Sequence, residues 1–201
     1  MPSPFVLDPG HGGSALRGKS SSEGARFADG VLEKDINLSL ARRVAYHLGG
    51  AELTRDGENR SLQERIDVAR RFGARVFLSL HSNPHGTEVW VHDRAAHGSL
   101  QLASALGERT GLAYGGHGGH GGHGGSTRVS RGQLGVLCPE QHGATTAACL
   151  LEIGYDQVRD PARLDATAAQ IAGALRAFVA PQHAARATYG GRRRDTKSAC
   201  G

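Results

Sequence analysis

Apolar residues occur along this chain in two spacings that predict different elements. Mostly apolar runs, typical of buried strands, lie at residues 5–7, 76–80 and 147–153. Between these runs, apolar residues recur about every four positions, which predicts helices with one buried face. Strands that alternate with helices predict a single α/β domain of three layers, in which helices cover both faces of a mainly parallel central sheet.

Residues that typically begin or end helices lie at the ends of the helices that the apolar spacing predicts. Gly49 ends the helix that begins near Glu33. Ser61 and Glu64 have the spacing of a capping box, and Asp160 caps a last helix that extends to about residue 179. Further elements are expected as a short strand at 51–55, an edge or hairpin strand at 87–91 and a helix at 99–111.

The composition sets limits on the kind of protein. With 201 residues, of which 38% are hydrophobic and 21% charged, the chain can bury a full core without metal or disulfide support. No apolar stretch is long enough to predict a membrane span. The three cysteines lack the C-x-x-C spacing, which argues against a disulfide framework or a thiolate zinc site.

Two segments of biased composition flank or interrupt the predicted domain, which we place at residues 1–180. Residues 115–125 contain three Gly-Gly-His units and predict a flexible loop, although histidine-rich tracts can also bind metals weakly. Residues 181–201 predict a disordered basic tail, which contributes much of the formal charge of +5. This charge favours anionic polymers, either a nucleic acid or a cell-wall component, but no pattern predicts specific nucleic-acid recognition.

Polar side chains that could bind a metal follow the predicted strands. His11 and His81 follow the first two apolar runs, Glu152 lies near the end of the third, and Glu33 opens a helix. Functional groups of parallel sheets gather at the carboxyl ends of the strands. His11, Glu33 and His81 would supply a His₂Glu zinc site with one open position, typical of a catalytic metal. Glu152 would then be the general base and acid of a metal-assisted hydrolysis.

Alternatives for individual residues remain open at this point. Glu23 competes with Glu33 as the carboxylate ligand, and Glu33 could instead only stabilise the start of its helix. Three further polar residues, Asp35, Asn37 and Asn83, could orient the metal ligands. Helix capping and turn formation explain these residues equally well. Arg131 could bind substrate or be a solvated loop residue.

Five sequence blocks, in order, resemble the zinc-dependent N-acetylmuramoyl-L-alanine amidases of the amidase_3 family. They are Asp8-Pro9-Gly10-His11-Gly12-Gly13, Leu32-Glu33-Lys34-Asp35-Ile36-Asn37-Leu38, Leu53-Thr54-Arg55, Ser79-Leu80-His81-Ser82-Asn83 and Leu151-Glu152-Ile153-Gly154-Tyr155. The resemblance implies hydrolysis of the amide between N-acetylmuramic acid and the L-alanine of the peptidoglycan stem peptide. It also implies that His11, Glu33 and His81 hold one catalytic Zn²⁺ ion and that Glu152 is the catalytic carboxylate.

The sequence also yields expectations about location and partners. Peptidoglycan is the expected partner, and the protein is expected to be a monomer. An immunity or regulatory protein of unknown identity is a further possible partner. The chain shows no signal peptide, so we expect synthesis in the cytoplasm and action on the cell wall after phage release or specialised secretion. Two alternatives are a zinc peptidase or amidase acting on another amide, and a non-catalytic protein that binds metal or cell wall.

Overall fold

The computed structural model describes residues 3–12, 21–84, 86–109 and 129–180. Within these ranges, six strands form one sheet: β1 (Phe5–Pro9), β2 (Glu52–Leu53), β3 (Val76–Asn83), β4 (Glu88–His92), β5 (Val129–Gly132) and β6 (Ala147–Gly154). The described helices are α1 (Glu33–Leu48), α2 (Leu62–Arg71), α3 (His97–Arg109), α4 (Pro139–His142) and α5 (Pro161–Val179). Residues 115–125 and 181–201, for which a loop and a disordered tail are predicted, lie outside the described residues.

The strand order of the sheet is β2-β1-β3-β6-β4-β5. Neighbouring strands are parallel, except that β4 is antiparallel to β6. In this order β1, β3 and β6 are adjacent, and their carboxyl ends lie at one edge of the sheet. His81 pairs in register with Glu152 across β3 and β6. The sheet therefore brings together three segments for which functional side chains are predicted.

Helices cover both faces of this sheet. Helices α1, α3 and α5 pack together on one face, where Leu40, Leu102 and Ile171 are fully buried. Helices α2 and α4 lie on the other face, where Val68 and Phe77 belong to a second core cluster. The predicted three-layer α/β domain with a mainly parallel sheet is confirmed.

Local sequence signals explain three of the helix ends. Gly49 ends α1 with a left-handed φ of 77°. Both hydrogen bonds of the Ser61–Glu64 capping box are present at the start of α2, and the Asp160 side chain accepts a hydrogen bond from the Arg163 backbone at the start of α5. None of the described helices combines the length and apolar character that a membrane crossing requires.

The structure corrects two expectations about strands and adds two short elements. His81 lies within β3 rather than after it, because the strand continues to Asn83. The predicted edge position of residues 87–91 is wrong, because β4 lies between β6 and β5. The sequence pattern also did not reveal β5 or α4, which are only four residues long and provide too few positions to show a period.

Candidate metal and active site

His11 lies in a tight turn directly after β1. The Gly10 amide donates a hydrogen bond of 2.9 Å to the Leu80 carbonyl, which ties the turn to β3. A side chain at Gly10 would overlap the His81 ring, so the close approach requires glycine here. His11 itself has a φ of 61°, which few residues with a side chain adopt. In this conformation its Nδ1 lies 2.6 Å from the Ser21 hydroxyl and its Nε2 lies 3.1 Å from Glu33 Oε1.

Glu33 is the first residue of α1, where the positive end of the helix dipole favours a carboxylate. Its side chain is buried and accepts hydrogen bonds from the backbone amides of Ala25, at 2.8 Å, and Ser82, at 3.3 Å. Asn37 adds a third from its side-chain amide, at 3.3 Å. Burial alone would raise the pKa of Glu33, but hydrogen bonds and charges from the two histidines lower it far below its usual range.

His81 completes a cluster of three potential ligands. Its Nδ1 lies 3.1 Å from Glu33 Oε1, and its ring meets the His11 ring edge to face, with centroids 4.9 Å apart. Burial lowers the pKa of His81, but the hydrogen bond with Glu33 and the charges of Glu152 and Glu33 outweigh it, so that the pKa is raised.

The donor set of this cluster fits a zinc ion. One ligand atom from each of His11, Glu33 and His81 lies within 4.8 Å of the other two. Two imidazoles and one carboxylate form a ligand set found in catalytic zinc sites. Glu23, the alternative carboxylate, is half exposed, lies 3.6 Å from Arg26 and is absent from the cluster.

Glu152 lies beside this cluster on the neighbouring strand. It pairs in register with His81, and its Oε2 accepts a 3.4 Å hydrogen bond from the Asn83 side chain. Burial raises the pKa of Glu152, and the charge of Glu33 adds to this effect, while His81 opposes it. A carboxyl group with a raised pKa is suited to accepting and returning a proton near neutral pH.

The other polar residues considered from the sequence have different positions. Asn37 is buried and donates to Glu33, while its own side-chain oxygen accepts from Ser82 at 3.0 Å. Asn83 contacts Glu152, whereas Asp35 is exposed in the first turn of α1. Arg131 lies in β5 rather than in a loop, and it donates to the Asp93 carbonyl.

Two buried arginines, Arg55 and Arg65, contact the His11 turn, and no role was predicted for either from the sequence. Arg65 forms an ion pair with Asp8 at 2.6 Å, and Thr54 and Ser79 also donate to the Asp8 carboxylate, at 2.5 and 2.7 Å. Arg55 donates to backbone carbonyls, and its burial lowers its pKa to about 10. The signal available in the sequence was Asp8 itself, an acid within a buried strand that needs partners.

A cavity of about 410 Å³ lies between the segments that carry the site. Phe27 and Tyr155 stack in its wall with ring centroids 3.8 Å apart, and the Tyr155 hydroxyl donates to Asp29 at 2.6 Å. Arg26 and Arg159 also line the cavity. It borders the metal cluster through Ala25, another lining residue, whose amide donates to Glu33.

Comparison with known proteins places these features in a family. Residues 5–180 match the model of the family Amidase_3, described as N-acetylmuramoyl-L-alanine amidase. The chain is 34% identical over 97 residues to the N-acetylmuramoyl-L-alanine amidase LytC of Bacillus subtilis strain 168, covering 43% of this chain and 18% of that protein. It is also 34% identical over 118 residues to AmiA of Escherichia coli K12, covering 54% of this chain and 38% of that protein.

A solved structure of similar size shows the same fold. The catalytic domain of CwlV, an N-acetylmuramoyl-L-alanine amidase from Bacillus (Paenibacillus) polymyxa var. colistinus, superposes with a TM-score of 0.65 and 25% identity. The superposition covers 87% of this chain and 96% of that domain. The chain thus aligns with less than half the length of the curated relatives LytC and AmiA but with nearly all of a solved catalytic domain.

Proposed function

The chain belongs to the N-acetylmuramoyl-L-alanine amidase family Amidase_3, and from this we propose that it is a zinc-dependent peptidoglycan hydrolase. It cleaves the amide that joins the lactyl group of N-acetylmuramic acid to the L-alanine of the stem peptide. The observation that carries the proposal is the convergence of His11, Glu33 and His81 beside a fourth group, Glu152, on the next strand.

His11, Glu33 and His81 hold the zinc ion in this proposal. When bound, zinc supplies Lewis-acid chemistry, which activates water as a nucleophile and stabilises negative charge on the carbonyl oxygen. Glu33 is held for this task by hydrogen bonds from Ala25 and Asn37, which fix the orientation of its carboxylate.

Glu152 moves the proton during hydrolysis. Its carboxylate accepts a proton from the attacking water and then delivers it to the amide nitrogen, so that the L-alanine amine leaves. Asn83, which donates to Oε2, orients the carboxylate without competing for the proton, because an amide N–H only donates.

The 410 Å³ cavity receives the stem peptide in this proposal. Glu152 must face the leaving nitrogen, which belongs to the peptide arm of the substrate. The residues that follow Glu152 along the chain, Tyr155 and Arg159, line this cavity, and Arg26 and Arg159 can bind a peptide carboxylate. We further propose that the protein acts on the cell wall as a monomer.

Hydrolysis of purified peptidoglycan with and without a chelator tests the function. We expect clearing in a zymogram that chelation abolishes and zinc restores. Mass spectrometry should find a free lactyl carboxyl on the muramic acid and a free amine on L-alanine. Cleavage at another peptide amide would favour the alternative zinc peptidase.

Deletion of residues 115–125 separates the proposed site from metal binding by the Gly-His tract. We expect the deletion variant to retain one zinc ion per chain, because the proposed ligands lie elsewhere. Loss of all stoichiometric zinc with this segment would contradict the proposed site.

A further inference from the structure

We infer that Arg55 is a positioning residue of the metal site, whose guanidinium joins the His11 turn to the start of the Glu33 helix and holds both ligands in place. The inference rests on the proposed zinc site and concerns a residue that contacts neither metal nor substrate.

The contacts of Arg55 connect two segments that each carry a ligand. Its Nε donates to the Pro9 carbonyl at 2.8 Å, and its Nη2 donates to the Gly10 carbonyl at 3.0 Å. The same Nη2 donates to the Lys34 carbonyl at 2.8 Å. Pro9 and Gly10 directly precede His11, and Lys34 directly follows Glu33. One side chain therefore fixes the backbone beside two of the three proposed ligands.

Two backbone hydrogen bonds tie the His11 turn to neighbouring segments, from the Gly10 amide to the Leu80 carbonyl and from the Gly12 amide to the Ser22 carbonyl, while its own carbonyls bind side chains. The carbonyls of Pro9 and His11 also accept hydrogen bonds from Arg65, at 2.9 and 2.8 Å, so three successive carbonyls bind guanidinium groups. His11 adopts its unfavourable φ of 61° within this arrangement. Arg55 binds this turn and also reaches α1, through the Lys34 carbonyl.

The chemistry of the contacts explains why the residue is arginine. A guanidinium presents donors in a rigid plane and can bind three separated carbonyls at once, whereas a lysine ammonium is a single point charge on a flexible stem. Arg55 is 3% exposed, so water cannot replace the lost donors easily. A lysine in its place would keep the charge and lose the connection between the segments.

The zinc dissociation constant of Arg55→Lys tests the inference. We expect it to rise at least ~10-fold, the range seen when groups that orient metal ligands are replaced. The control is Arg43→Lys, which changes an arginine of α1 that pairs with Asp165 of α5 and should leave zinc affinity unchanged. An unchanged dissociation constant in Arg55→Lys overturns the inference and leaves the proposed function intact.

Two readouts distinguish positioning from general stabilisation. The absorption spectrum of the Co²⁺-substituted protein should change in Arg55→Lys, because the ligand geometry changes, and should stay constant in Arg43→Lys. In Arg55→Ala, free guanidinium ion at concentrations far below those that unfold proteins should restore part of the zinc affinity. An unaltered cobalt spectrum, or no rescue by guanidinium, contradicts the positioning role.

A measurement on the wild-type protein covers the case in which the variants do not fold. In the metal-free protein, NMR should show slow exchange of the Arg55 Nε proton with water, because its hydrogen bond to Pro9 forms without metal. Rapid exchange overturns the inference. A wild-type protein that binds zinc but does not cleave peptidoglycan would contradict the proposed function alone.

Discussion

The rings of His11 and His81 meet edge to face, with centroids 4.9 Å apart, although His11 follows β1 and His81 lies within β3. Glu33 Oε1 lies 3.1 Å from one nitrogen of each ring. This contact depends on the parallel pairing of β1 and β3, which brings the His11 turn alongside His81. Each histidine is thus placed by the sheet, and the carboxylate between them is placed by the helix that Glu33 begins.

Replacement of one histidine should abolish metal binding. His81→Ala removes one of three proposed ligands, and we expect the purified variant to contain no zinc after dialysis against a weak chelator. Elemental analysis measures the zinc content. His47→Ala, which removes a histidine paired with Asp165 outside the site, should keep one zinc per chain. Stoichiometric zinc in His81→Ala would contradict the ligand assignment.

Replacement of the proposed general base should separate metal binding from catalysis. Glu152→Gln keeps the shape of the side chain but cannot accept the proton, so we expect the rate of peptidoglycan cleavage to fall by ~10²–10⁴-fold. Release of stem peptides, measured by chromatography, reports the rate, and elemental analysis should show unchanged zinc. Glu140→Gln, an exposed acid paired with Arg94, is the control and should have full activity. Full activity in Glu152→Gln would exclude the proposed mechanism.

Site residues that lie at the end of a predicted strand or at the start of a predicted helix could be identified from the sequence. His11 and Glu33 could be predicted because each stands beside a clear strand or helix signal. The contacts of Arg55 and Arg65 could not be predicted, although Arg55 lies in one of the five sequence blocks, because most of their partners are backbone carbonyls, which leave no pattern in the sequence. Strand direction was also hidden, since the apolar pattern of β4 is the same whether it runs parallel or antiparallel to β6.

The ion pair between Asp8 and Arg65 should make the stability of the metal-free protein sensitive to acid. Burial raises the pKa of Asp8, but the Arg65 charge and hydrogen bonds from Thr54, Arg65 and Ser79 outweigh it, so the folded-state pKa lies below the ordinary 3.8. The contribution of the Asp8 carboxylate to the free energy of unfolding is complete at pH values above the unfolded-state pKa. It is lost as the pH falls towards the folded-state pKa, because the unfolded chain takes up the proton first.

Urea unfolding of Asp8→Asn between neutral and acidic pH measures this contribution. We expect the free energy of unfolding at pH 7 to fall by about 3–5 kcal/mol, because Arg65 becomes a buried charge without a counter-ion. The difference in the free energy of unfolding between wild type and Asp8→Asn should shrink as the pH falls below about 4, because the Asp8 carboxylate then stabilises the wild-type protein less. Asp67→Asn, on the exposed face of α2, should change little. A loss that is constant down to strongly acidic pH would contradict the lowered pKa.

The capping box of α2 should contribute measurably to stability. The Ser61 hydroxyl accepts from the Glu64 amide at 3.3 Å, and the Glu64 carboxylate accepts from the Ser61 amide at 2.7 Å. Ser61→Ala removes the first bond, and we expect a loss of about 1 kcal/mol in the free energy of unfolding, measured with urea. Ser61→Thr, which retains a hydroxyl, should recover most of it. Equal losses in both variants would show that the hydroxyl is not the cause.

Charge reversal at the 410 Å³ cavity should weaken substrate binding more than catalysis. Arg159→Glu places a negative charge where we propose that a peptide carboxylate binds, and we expect KM for a soluble muramoyl peptide to rise about tenfold, equivalent to one charged hydrogen bond. The value of kcat should change little, because Arg159 does not contact the reacting amide in this proposal. Arg71→Glu is the matched control, since it alters the net charge equally but lies exposed on α2, which does not line the cavity. Equal KM values for the two variants would contradict binding of the stem peptide in this cavity. A rise in KM shared by both variants would come from the general loss of positive charge.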